Sequence, residues 1–164
     1  MRRPGPALAA LAAACALAAG CGYGVGAGSG GARLPEDARS IFVAPLVNRT
    51  ADAEAGALVA ASLREELARR GAAGGEGAPA RIEGEVVRVS AAPLTTQGGT
   101  WRLTVEIRAR LVRSGTELGR VDVRREVDYL GEVDAVATEG RRRLALRKAA
   151  AEAAREIVER LESP

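Results

Sequence analysis

A chain of 164 residues with no long apolar run beyond its first twenty positions has room for one modest core after processing, so two domains are not expected. Only 2% of the residues are aromatic, which makes any core aliphatic, and the lack of histidine, with cysteine only at Cys15 and Cys21, excludes His-based triads, most zinc sites and a disulfide within the mature chain. The formal charge of +3 comes from 24 basic and 21 acidic residues; Arg2 and Arg3 leave with the amino-terminal segment, so 22 then face 21, and no general nucleic-acid-binding surface is expected.

Arg2 and Arg3 form a basic start, residues 7–19 an apolar stretch, and Ala18-Ala19-Gly20 the small residues that a signal peptidase needs. Residues 1–20 therefore read as a secretory signal, too short and too weakly apolar for a spanning helix of about 20 residues. Leu17-Ala18-Ala19-Gly20-Cys21 resembles the lipobox of bacterial lipoproteins, with Leu one place earlier than in the commonest pattern. Cys15 has the same arrangement behind Leu11, but its apolar stretch would be half as long. Cys21 is thus the expected lipidation site and first mature residue. At about 0.8 kcal/mol per buried methylene, several acyl chains anchor a protein to a membrane. Gly22 follows the cysteine where Asp would resemble an inner-membrane retention signal, which favours the outer membrane.

Residues 21–34 carry the anchor and a glycine-rich tether, GYGVGAGSGG. It has neither the preceding strand nor the Lys and Ser/Thr of a phosphate-binding loop. Residues 35–164 are expected to form one α+β domain. Residues 40–47, SIFVAPLV, read as a buried strand that ends at Pro45 or lies at an edge. Thr50 or Asp52 is expected to cap a helix running to about Arg70, with Gly56, Val59, Ala60, Leu63 and Leu67 on its inner face. Arg64, Glu65, Glu66 and Arg69 fall outside, and Gly71 supplies the C-cap.

Residues 80–89 alternate as a strand through Ile82, Gly84 and Val86 and then slip in phase to Val87 and Val89, which predicts a bulge near Val86. The clearest alternation sets Trp101, Leu103, Val105, Ile107, Ala109 and Leu111 against Arg102, Thr104, Glu106, Arg108 and Arg110. A Ser114-Gly115 turn joins this strand to another, with Val121, Val123, Val127 and Tyr129 inside. A long amphipathic helix over residues 133–161 closes the chain, its stripe formed by Leu146, Ala150, Ala153, Ile157 and Leu161, with a possible break at Gly140. The order β-α-β-β-β-α predicts a two-layer α+β sandwich: a sheet of about four strands, two helices on one face and a polar second face.

Carboxylates such as Glu83, Glu85, Glu106, Asp122, Glu126 and Asp128 alternate with inward positions and should pair with arginines across the strands. No serine lies in a nucleophile-elbow setting, and the one lysine, Lys148, is on a helix. The chain reads as a non-enzyme with no catalytic residue, metal or cofactor. Arg102, Arg108 and Arg110 on one strand and Arg124 on the next form a row that can engage phosphate or carboxylate groups. On pattern alone the plainer reading is solvent-facing charge that discourages aggregation. Arg141-Arg142-Arg143 reads as a solvated helix face.

Several of these features together resemble the LptE family of lipopolysaccharide-assembly lipoproteins. They are Cys21-Gly22-Tyr23, the glycine-rich tether, Leu34-Pro35, Ile41-Phe42-Val43-Ala44-Pro45-Leu46, Asn48-Arg49-Thr50, Gly84-Glu85-Val86, Leu103-Thr104-Val105-Glu106-Ile107 and the closing helix. The resemblance implies a non-catalytic outer-membrane lipoprotein, lipid-anchored and facing the periplasm. Such a protein sits in the lumen of the β-barrel LptD, supports its assembly and helps to insert lipopolysaccharide into the outer leaflet. It also makes Arg102, Arg108, Arg110 and Arg124 candidate contacts for lipopolysaccharide or the barrel wall. Residues 43–71 also resemble the start of curli-secretion and penicillin-binding-protein-activator lipoproteins, whose partners are a secretion pore or a peptidoglycan synthase. The Cys-Gly-Tyr start and the single long final helix favour the first resemblance.

Overall fold

The computed structural model describes residues 40–94 and 99–162. The expected signal segment, Cys21 and the tether lie outside the described residues. The first strand is split by its own sequence into β1 (Ile41–Val43) and β2 (Val47–Asn48), both parallel to β3 (Ala80–Pro93). Val43 lies opposite Ile82 and Val47 opposite Glu85, so residues 44–46 span what two residues of β3 span. Pro45 has no amide proton to offer the ladder, and the pairing lapses there. It resumes where Arg49 N–H donates to the Val86 carbonyl at 3.0 Å.

Helix α1 (Ala55–Arg69) begins later than Thr50 or Asp52 would set it. Those side chains bond locally instead. Asn48 Oδ1 accepts the Thr50 amide at 3.1 Å, Thr50 Oγ1 accepts the Asp52 amide at 3.2 Å, and Asp52 Oδ1 accepts the Glu54 amide at 3.2 Å. Short polar side chains bonding the backbone two residues on hold a turn rather than a cap. The other end is as expected: Gly71 takes φ +69°, and the Ala72 amide reaches the Leu67 carbonyl at 2.8 Å. Gly56, Val59, Ala60, Leu63 and Leu67 are buried, but so is Glu66, expected on the outer face yet only 4% exposed, seven residues after Val59 and beside the inner stripe.

Strands β3, β4 (Thr100–Arg113) and β5 (Thr116–Leu130) form an antiparallel meander. The predicted phase slip is real: register shifts between Val86 and Arg88, leaving Val87 as the extra residue of a bulge. Ser114 at φ 46° and Gly115 at φ 82° make the tight turn between β4 and β5, both in the left-handed region that a two-residue hairpin loop favours. The closing helix α2 (Ala135–Glu162) runs through Gly140 without a break, for about 42 Å at 1.5 Å per residue.

The sheet order is β1–β3–β4–β5, with β2 continuing β1 along the same edge. Both helices cover one face, α1 over β1 to β3 and α2 over β4 and β5, and their buried side chains join one aliphatic cluster. The fold is thus the expected α+β two-layer sandwich, its edge strand divided in two. Leu63, Leu67, Ile82, Leu103, Ile107, Leu146 and Ile157 are almost wholly buried. Burying each such side chain contributes roughly 1.5–3 kcal/mol. Ala145, Ala149, Ala150, Ala153 and Ala154 let α2 lie close to the sheet. Among the described residues no helix is long and apolar enough to cross a membrane.

Candidate functional site

Because side chains alternate along β4, burying Leu103, Val105, Ile107, Ala109 and Leu111 commits Arg102, Glu106, Arg108 and Arg110 to the face without helices. Arg124 joins them from β5, where Val121, Val123 and Val127 are the buried set. All four arginines singled out by their pattern therefore share one face. The bulge at Val87 restores the inward phase of β3, so Glu83 and Glu85 before it and Arg88 after it share that face too.

Each of the four arginines has a carboxylate across or along the strands. Arg102 donates through Nε and Nη2 to the two oxygens of Asp128 at 2.8 and 3.0 Å, a planar fork. Arg110 donates twice to Glu83 Oε2, at 3.1 and 2.8 Å, and Arg124 twice to Glu126 Oε1, at 3.1 and 2.7 Å. Arg108 is the least committed: Glu85 is 3.3 Å away and Asp122 3.7 Å. Its side chain is 60% exposed. It borders a depression of about 200 Å³ with Val87, Glu106, Asp122 and Arg124.

The hydrogen bond from Arg102 holds the Asp128 carboxyl below its ordinary value. That from Arg49 does the same for Glu85, and that from Arg120 for Glu117. These groups stay ionised at neutral pH, so the face is a lattice of alternating sign rather than a bare cationic patch. Exposed pairs of this kind are screened by solvent and contribute little to stability. Their chemical capacity is exchange: an incoming phosphate can replace a carboxylate at a loosely held guanidinium, Arg108 before Arg102.

Pattern reading missed part of this face and misplaced other charges. Arg49 from the β2 end, Arg88 and Arg120 also lie in the lattice, and each follows from the same alternation. Arg125 stands in the inward row between Val123 and Val127 and pairs with Glu156 of α2, which also binds Arg160. Arg142 is not a solvated charge. It donates to Asp52 at 2.7 Å and to Glu139 at 2.9 Å, which fastens α2 to the turn before α1. A second depression, of about 430 Å³, lies between the end of β5 and α2. Val127, Tyr129, Leu130 and Leu144 supply its apolar lining, and Asp128, Arg141 and Lys148 its charge.

Residues 38–161 match the model of the family described as LptE, lipopolysaccharide-assembly. None of the curated protein sequences matches this chain significantly. Among solved structures, a putative lipoprotein from Caulobacter crescentus is similar with a TM-score of 0.61 and 23% identity, over 77% of this chain and 90% of that one. The PelC dodecamer from Paraburkholderia phytofirmans gives 0.54 at 14% identity, over 76% and 89%. The rare lipoprotein B of Shewanella oneidensis gives 0.51 at 19% identity, over 72% and 93%. At these identities the structural likenesses establish the fold alone.

Proposed function

This chain belongs to the LptE family of lipopolysaccharide-assembly lipoproteins, and from that premise we propose that it is an outer-membrane lipoprotein, acylated at Cys21 after removal of residues 1–20. It plugs and supports a large LptD-type β-barrel, faces the periplasm and assists the insertion of lipopolysaccharide into the outer leaflet. Its contribution is binding and positioning, with no reaction catalysed. The observation that carries this reading is the extent of the family match, which runs from ahead of β1 to the last turn of α2.

The charged face supports the reading on chemical grounds. Lipid A presents phosphates, and guanidinium groups bind phosphate in two-pronged geometry. Arg102, Arg108, Arg110 and Arg124 are the proposed contacts with lipopolysaccharide or with polar groups of the barrel wall, Arg108 foremost because its pairs are longest. The test is purification of the tagged, lipidated chain from its own outer membrane in detergent, with mass spectrometry of what accompanies it. A large β-barrel in near-equal amount supports the proposal. A synthase or secretion pore without such a barrel overturns it. The same spectra should show an acylated Cys21 at the amino terminus, and an unmodified mature chain would refute the anchor.

A further inference from the structure

The two edges of the sheet are finished differently. The β1–β2 edge is interrupted at Pro45, which breaks the row of free amides that another strand would need. β5 has an extra residue at Leu118, where its register with β4 shifts, and from Gly119 to Leu130 its edge is regular. Its phase is set by two contacts. The Gly131 amide donates to Gly99 at 2.8 Å, so odd-numbered residues of β5 near that end bond β4 and even-numbered ones turn their N–H and C=O groups outward. The Asp122 carbonyl agrees: it faces away from β4 and accepts Arg160 Nη1 of α2 at 3.0 Å.

From Arg120 to Glu126 the outward residues alternate in charge, Arg120, Asp122, Arg124, Glu126, and Asp128 ends the alternation. In an antiparallel pair of two such edges centred on Val123, Asp122 lies opposite Arg124 of the second copy and Arg120 opposite its Glu126. Symmetry repeats both pairs. Shifting one copy by two residues places Asp122 opposite Asp122 in one direction and Arg124 opposite Arg124 in the other, and like charges directly opposed destabilise a sheet. Charge therefore favours the register centred on Val123, with four opposite pairs and none alike, over the one centred on Val121, which opposes only Arg120 and Asp122; in the favoured register the outward backbone groups meet as hydrogen-bonded pairs. From these observations, which go beyond the barrel-support reading, we infer that a second copy of this chain docks edge to edge on β5, joining two sheets into one. Arg160 gives up the Asp122 carbonyl when the partner's Arg124 amide arrives.

Edge pairing alone buries less than the standard interface, so the association is weak and reversible in solution. Anchoring both copies to one membrane would raise their effective concentration. The test is analytical ultracentrifugation of the full lipidated chain in density-matched detergent up to roughly 300 µM, a range suited to a small interface. A dimer is expected for the wild type. Asp122→Arg and Arg124→Asp should each weaken it about tenfold or more, since each opposes like charges at both symmetry-related positions. The double variant Asp122→Arg/Arg124→Asp should restore it. Both side chains are exposed, and far-UV dichroism is expected to be unchanged throughout. A wild type that remains monomeric, or a double variant no more associated than the single ones, overturns the inference. Neither result bears on co-purification of a barrel.

Discussion

Arg70 Nε lies 2.6 Å from Glu66 Oε1 at the end of α1, and the same guanidinium reaches Glu162 of α2 at 2.7 Å. One arginine thus satisfies a buried carboxylate and ties the two helices together at their carboxyl ends. Arg70→Met should lower stability by about 2–4 kcal/mol, because it leaves the Glu66 charge buried with only Arg69 for compensation. Chemical denaturation at neutral pH measures this, and a loss below about 0.5 kcal/mol, the size of an ordinary surface substitution, would refute it.

The same site predicts an acid dependence. Burial alone would raise the Glu66 carboxyl, but hydrogen bonds from Arg69 and Arg70 outweigh it and the group titrates below its ordinary value. The pairing therefore stabilises the fold fully above the unfolded-state value and is lost as pH falls through the lower, folded-state one. Glu66→Gln should be less stable than wild type at pH 7, and thermal melts should show the difference shrinking towards pH 3. A gap of equal size at both pH values would mean that ionisation of Glu66 is not its source.

Arg125 sits among valines on the helix-facing row and is held by Glu156, with Arg125 Nε and Glu156 Oε2 buried. Removing one partner strands the other, whereas replacing both with aliphatic side chains removes the desolvation cost altogether. Glu156→Leu alone should cost about 1–2 kcal/mol, a figure reduced for the partial exposure of Arg125. Arg125→Val/Glu156→Leu should recover most of that loss. A double variant as unstable as the sum of its parts would show that the pair is not coupled.

Gly84 lies opposite Ala109 across the β3–β4 ladder, and a Cβ there would lie 2.5 Å from the Arg108 carbonyl oxygen. Backbone cannot retreat as a flexible side chain can. Gly84→Ala should therefore destabilise the sheet by about 1–3 kcal/mol, the usual range for overpacking. A melting temperature equal to wild type would contradict this close approach.

Reversal at the least committed arginine tests the proposed contact. Arg108→Glu should weaken binding of purified lipopolysaccharide while leaving helix content unchanged, and Arg102→Lys, which breaks a closed fork with Asp128, should weaken it less. Binding that is indifferent to the charge at position 108 would remove this residue from the contact.

Much of this architecture was legible because alternation and helical spacing are local properties. The inward row from Leu103 to Leu111 determines which face carries Arg102, Arg108 and Arg110, and the slip from Val86 to Val87 announces the bulge. The turn at Ser114-Gly115 and the helix stop at Gly71 follow from backbone conformations that glycine adopts readily. What residue spacing could not supply is pairing across long separations. Glu66 is expected outside because it is charged, although it stands seven residues after Val59 and three after Leu63, beside the inner stripe; it is buried, and its partner Arg70 also reaches Glu162 of α2. Arg142 belongs to a basic triplet in the sequence and to Asp52, ninety positions away, in the fold. The sequence by itself determined the elements, their faces and the family they resemble, since hydrophobic period and turn chemistry act over a few residues. Only the tertiary structure decided which charges are buried, which arginines are already held and which sheet edge stays open, because those depend on what the packing of distant segments brings together.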